Sequence, residues 1–212
     1  TPINHRIFSI TEAPKAFRYM QQARHIGKVV LDMQVSNRSL TNSAFSDASS
    51  CGITSEGTYL ITGGTGGLGL ATAKWLVGQG AQHLALLSRG TSSTAAAKPW
   101  ITESEQAGIE ILVLQADVSN QEQLTSALDT IQKTLPPLKG IVHAAGVLND
   151  GVLQQLEWKQ MEPVLAPKIW GAWNLHQLTE HESLDFFALY SSAASLLGSP
   201  GQGAHVAANS FL

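Results

Sequence analysis

The 212-residue sequence predicts an α/β fold whose parallel sheet is wound on both faces by helices, and three observations lead there. From residue 58 onward short apolar runs alternate with segments of helical period. The runs are mostly apolar at consecutive positions rather than at every second residue, which is the pattern of strands buried on two faces. The first of them ends in a glycine cluster that opens directly into a helical pattern.

Taken in order, strands are predicted at 58–62, 83–88, 110–115, 139–143 and 184–190. Helices are predicted at 67–79, 94–107, 120–134, 153–179 and from 203 onward. Each strand followed by a helical crossover makes a parallel pair, because only a connection of that length returns the chain to the same edge. Upstream, Ala13–Arg24 has amphipathic helical spacing and Gly27–Leu31 has strand character. About thirty residues cannot enclose a core of their own, so 1–34 is expected to belong to a neighbouring domain. Residues 35–57 are rich in Ser, Thr and Asn without period and are expected to be a linker, leaving 58–212 as the main domain.

Composition narrows the function. A net charge of −3 and a pI near 6.1 provide no basic field for nucleic acid. No apolar run approaches the roughly 20 residues that span a bilayer, and Thr1-Pro-Ile-Asn-His5 lacks the charged and apolar regions of a signal peptide. The single cysteine, Cys51, has no disulfide partner in the chain and lies in the polar linker, where an incidental thiol is expected. These features predict a cytoplasmic protein without nucleic-acid or membrane partners. The missing initiator Met and a terminal helical pattern that stops at Leu212 predict a piece of a longer polypeptide, truncated at its C-terminus.

The chemistry concentrates at predicted strand ends. In Tyr59-Leu-Ile-Thr-Gly-Gly-Thr-Gly-Gly-Leu-Gly-Leu70 the order is strand, tight turn, helix. Glycines there allow positive φ and close backbone approach, so a pyrophosphate can rest on the helix N-terminus, as in a Rossmann-like dinucleotide site. Thr62, Gly63, Gly64, Thr65, Gly66, Gly67 and Leu68 are the candidate contacts. The second strand ends in Ser88-Arg89, where an acidic residue would hold the ribose 2′-hydroxyl of NAD. An Arg there suits the 2′-phosphate of NADPH, because its planar fork matches phosphate oxygens. Asp117-Val118 is placed at the adenine edge, and the small residues Ala144, Ala145 and Gly146 leave room for ribose and nicotinamide.

The glycine-rich motif, Asp117-Val118 and His143-Ala-Ala-Gly146 resemble the short-chain dehydrogenase/reductase superfamily. Ala166-Pro-Lys-Ile-Trp-Gly-Ala-Trp-Asn-Leu-His176, Tyr190-Ser-Ser-Ala-Ala-Ser195 and Gly198-Ser-Pro-Gly-Gln-Gly203 narrow the resemblance to the ketoreductase domain of modular, type I polyketide synthases, over about residues 57–212. Ala16-Phe-Arg-Tyr-Met-Gln-Gln-Ala-Arg-His-Ile-Gly-Lys-Val-Val30 resembles the C-terminal tail of an enoylreductase domain, which precedes the ketoreductase in fully reducing modules. The resemblance implies NADPH-dependent reduction of a β-ketoacyl thioester on the phosphopantetheine of an acyl carrier protein. It also implies partner domains, including that enoylreductase, in the same polypeptide.

The resemblance further implies a catalytic set of Lys, Ser, Tyr and Asn. The Lys falls on Lys168, which would also hold the nicotinamide ribose, the Ser on Ser192 and the Asn on Asn209. Ser192 stands 24 residues after Lys168, and Asn209 stands 17 after Ser192, as in the family. The Tyr position holds His205, four residues before Asn209 on one predicted helix face. The departure falls on the proton donor. Imidazole donates a proton to a carbonyl only in its charged form, which is the minor form at neutral pH. Two outcomes are therefore open: a reductase assisted by His205, or a catalytically impaired, structural domain. Leu148-Asn149-Asp150, Pro200 and the lack of a Trp near Leu197 resemble members giving a D-hydroxy product, while Ala204 departs from them.

Other residues are expected to be ordinary. Trp170 and Trp173 are predicted to serve core and helix packing rather than to touch substrate, His143 to sit at a strand end near the cofactor, and Glu103 and Glu105 to form a solvated face. His176 and His181 lack partners at ligand spacing, so no metal is expected.

Overall fold

The computed structural model describes residues 5–9, 12–22, 26–32, 52–90 and 96–212, in two compact units, Thr1–Ser50 and Cys51–Leu212. Most of the predicted linker, with Cys51, lies outside the described residues. In the first unit β1 (His5–Ser9) and β2 (Lys28–Asp32) pair in parallel and are joined through helix α1 (Ala13–Gln21). Strand β1 is absent from the sequence reading. It is a short edge strand whose pattern carries little signal until β2 pairs with it. The Arg6 guanidinium lies over the Phe8 and Tyr19 rings at 5.4 and 4.7 Å.

The second unit is built on a five-stranded parallel sheet of β3 (Thr58–Thr62), β4 (His83–Ser88), β5 (Glu110–Gln115), β6 (Leu138–His143) and β7 (Phe186–Leu189), in the order β5-β4-β3-β6-β7. Helices α2 (Gly67–Gly78) and α3 (Ala97–Gln106) cover one face, and α4 (Gln121–Thr134) and α5 (Trp158–Thr179) the other. Alternate residues feed the two cores. Tyr59, Ile61, Leu84 and Leu86 enter the first, and Leu60, Ala85, Leu87 and Ile141 the second. Each fully buried Leu or Ile contributes about 1.5–3 kcal/mol relative to exposure, so both faces are held by side chains of the same strands. The fold is α/β, doubly wound and Rossmann-like. Its order reverses between β3 and β6, so their C-terminal ends diverge into a crevice.

Besides shifts of a few residues at the ends of several elements, one helix is divided and one short helix is added relative to the sequence reading. The predicted helix at 153–179 divides into a 3₁₀ turn, Leu153–Gln155, and α5, because Glu157 caps α5 in a reciprocal box with Gln160. Helix α6 (Ala194–Leu197) was not anticipated, being a single turn that Gly198 ends at φ 73°. Helix α7 (Gly203–Phe211) packs on α5 through Ala204, Ala208 and Val164. Trp170 and Trp173 are 59% and 46% exposed, so neither enters the core, and Trp173 packs along its own helix against the His176 ring at 5.7 Å. On α5, Leu175 enters the second core, while Pro167, Gly171 and Asn174 face His143 and the Val118 loop.

Candidate active site

A cleft of about 420 Å³ opens at the C-terminal ends of β3, β4, β5 and β6. Its floor is the turn from β3 to α2. Gly63 takes φ 67°, and its carbonyl accepts the Gly66 N–H at 2.9 Å. A Cβ on Gly69 would lie 2.2 Å from the Gly63 oxygen, so the turn closes against the helix only with glycine there. Gly66 caps α2 without a side chain, while the space where a Gly67 Cβ would stand is open. The first N–H groups of α2 therefore point into a cradle open to a phosphate.

Twelve predicted cofactor residues line the cleft: Gly63, Thr65, Gly66, Gly67, Leu68, Ser88, Arg89, Asp117, Val118, Ala144, Ala145 and Gly146. Thr62, Gly64 and Lys168 do not. Thr62 and Gly64 are buried behind the wall, Gly64 because a Cβ would fall 2.8 Å from the Ile61 oxygen and 3.0 Å from Leu86. Thr62 supports the cleft through its hydroxyl, which accepts the Ala145 N–H at 3.2 Å. Asp117 turns its carboxylate to the Ser119 N–H and hydroxyl, at 2.9 and 2.6 Å, and so shapes its own loop. Asn174 donates to the Val118 carbonyl at 3.1 Å, pinning that loop to α5. Gly90, Pro167 and Gly69 also line the cleft. Only their adjacency to predicted contacts could have flagged them.

Lys168 stands at the cleft margin. Its Nζ donates to the Tyr190 carbonyl at 2.5 Å, and its chain runs over Gly146, where a Cβ would lie 3.1 Å from the Lys168 Cε. Burial holds the Lys168 ammonium below the usual lysine range. Beyond Tyr190, Ser191 donates to the Asn209 carbonyl at 2.8 Å. Ser192 is half-buried, and its oxygen accepts the Ala194 N–H at 3.1 Å, which leaves its own O–H proton for donation. His205 is half-buried on α7. The Asn209 amide donates to the His205 carbonyl at 2.8 Å and lies 3.2 and 3.3 Å from the two ring nitrogens. Contacts thus run from Lys168 through Tyr190 and Ser191 to Asn209 and His205.

His143 was expected near the cofactor as an ordinary strand-end residue. It is fully buried, between the Thr62 hydroxyl at 2.7 Å and the Pro167 carbonyl at 2.9 Å. Burial, with the nearby Lys168 ammonium, pushes its pKa down to about 4. It is uncharged at neutral pH.

A family model described as the KR domain matches residues 57–212. The chain belongs to the KR domain family. These domains are the ketoreductases of polyketide synthases, within the short-chain dehydrogenase/reductase superfamily, and are oxidoreductases. The type I polyketide synthase Pks1 of Mycobacterium tuberculosis, whose name carries the word inactive, is 42% identical over 201 residues, covering 94% of this chain and 12% of that protein. Erythronolide synthase EryA2 of Saccharopolyspora erythraea is 38% identical over 206 residues, 97% of this chain and 5% of that protein. Among solved structures, A-type ketoreductases from a modular polyketide synthase match with a TM-score of 0.69 at 36% identity, over 75% of this chain and 33% of that one. A ketoreductase domain from the bacillaene assembly line matches with a TM-score of 0.68 at 33% identity, over 74% and 38%. The ketoreductase chain thus spans a small part of the polyketide synthases it resembles.

Proposed function

We propose that residues 58–212 reduce a β-ketoacyl thioester, carried on the phosphopantetheine of an acyl carrier protein, to the β-hydroxyacyl thioester with NADPH. The observation carrying this reading is the cleft that joins a glycine cradle and Arg89 at one end to Lys168 over Gly146 at the other. The cradle fits a pyrophosphate, Arg89 fits a 2′-phosphate, and the small residues Ala144, Ala145 and Gly146 leave space for the nicotinamide. Bound NADPH would supply the hydride to the carbonyl carbon. Ser192 donates its O–H to the carbonyl oxygen and polarises it. Lys168, with one donor engaged by Tyr190, keeps two for the ribose and the proton relay. His205 as imidazolium gives the proton to the developing alkoxide, directly or through one water, and Asn209 orients the ring.

Residues 1–34 are assigned to the end of an enoylreductase domain and 35–57 to a linker, within a cytoplasmic synthase whose other domains hand the substrate over. The D-hydroxy reading rests on resemblance alone: Leu148-Asn149-Asp150, Pro200 and the lack of a Trp near Leu197 are similar to members giving that product, while Ala204 departs from them. A second reading is a silent domain. It is favoured by His205 itself, which stands at the position where the resembling ketoreductases carry the Tyr proton donor. NADPH oxidation by the full-length protein, with a β-ketoacyl thioester and chiral analysis of the product, separates these readings. D-hydroxy product supports the first. Cofactor binding with no turnover supports the second.

A further inference from the structure

We infer that His143 is a positioning residue which, through Pro167, sets where Lys168 stands at the cofactor cleft. The inference rests on the role given to Lys168 above, and its first readout is independent of that role. The hydrogen-bond count fixes the arrangement. The Pro167 carbonyl only accepts, so the His143 Nε2 carries the proton and donates to it at 2.9 Å. The neutral ring then has a lone pair on Nδ1, and the Thr62 hydroxyl donates its single proton there at 2.7 Å. That leaves the Thr62 oxygen to accept the Ala145 N–H at 3.2 Å.

One chain of bonds therefore runs Ala145, Thr62, His143, Pro167, with each donor and acceptor assigned. It joins the ends of β3 and β6, where Thr62 and His143 are register partners, to the turn of α5 that precedes Lys168. Gly171, one turn further along α5, lets the helix close on the ring. A Cβ there would lie 3.3 Å from the His143 Cε1 and 2.6 Å from the Val118 Cγ2. Because the ring is fully buried, a lost partner is not replaced by solvent. A shift of α5 carries the Lys168 ammonium away from Gly146 and the Tyr190 carbonyl.

The test uses the full-length protein with His143→Phe, Thr62→Val and His143→Gln. The Gln amide can accept from Thr62 and donate to Pro167. Competitive acylation, resolved by peptide mass spectrometry, reads the pH at which Lys168 becomes half-reactive, and fluorescence titration and steady-state kinetics read NADPH binding, KM and kcat. In His143→Phe and Thr62→Val the Lys168 titration moves up toward that of exposed lysines, the KM for NADPH rises, and kcat falls by up to about 10²-fold. His143→Gln restores all three toward native values. An unchanged Lys168 titration in folded His143→Phe and Thr62→Val overturns the inference, as does a His143→Gln that is as impaired as His143→Phe. If His143→Phe does not fold, the other two variants decide. A native protein that neither binds NADPH nor turns over defeats the functional reading alone, since the Lys168 titration still decides this one.

Discussion

At the scale of single residues, His205 and Arg89 carry the account. His205 occupies the proton donor's place, half-buried beside Asn209. Arg89 is exposed on the rim of the cleft and is assigned to the 2′-phosphate. A charge-assisted hydrogen bond is worth about 1.5–3 kcal/mol. Arg89→Ala should therefore raise the KM for NADPH by about 10–100-fold and leave the KM for NADH little changed. Equal effects on both cofactors would place Arg89 elsewhere.

At the scale of elements, α5 is the member that ties the site together. It bears Lys168, meets His143 through Pro167, and holds the Asp117–Val118 loop through Asn174. Gly171→Ala puts a Cβ 2.6 Å from the Val118 Cγ2, and overpacking of this kind costs about 1–3 kcal/mol. A lowered Tm and a raised KM for NADPH are expected together, read by thermal melts with and without cofactor. A normal Tm would mean that the helix yields without strain. The sheet strands were legible because each holds a run of consecutive apolar residues, and the glycine turn because it sits between such a run and a helical pattern. The stripe Pro167, Gly171, Asn174 was not. Nothing in its composition distinguishes a helix face packed on a loop and a histidine from one packed on a core. The same blindness left Trp170 and Trp173 undivided between core and helix packing. His143 was legible as a strand-end residue. Its bonding was not, because both partners, Thr62 and Pro167, are remote in sequence.

At the scale of the whole molecule, the buried histidine couples stability to pH. Its pKa in the folded chain is about 4, against about 6.5 when exposed. Above about 6.5 the ring is neutral in both states and its contribution is fully present. As pH falls from about 6.5 toward 4, the unfolded chain takes up a proton that the native one does not. Stability is then lost, by up to about 3 kcal/mol once the pH is below both values. Urea unfolding at pH 7 and pH 4.5 should show this loss, and His143→Gln, which cannot titrate, should lose less. The cleft at the ends of β3, β4, β5 and β6 is where the proposed reading puts the nicotinamide cofactor. The open element is a single donor on α7. The most direct measurement is NADPH oxidation with a β-ketoacyl thioester by the full-length protein, native beside His205→Tyr. The account predicts measurable native turnover and a gain in kcat of up to about 10²-fold in the variant. NADPH binding without native turnover would contradict it.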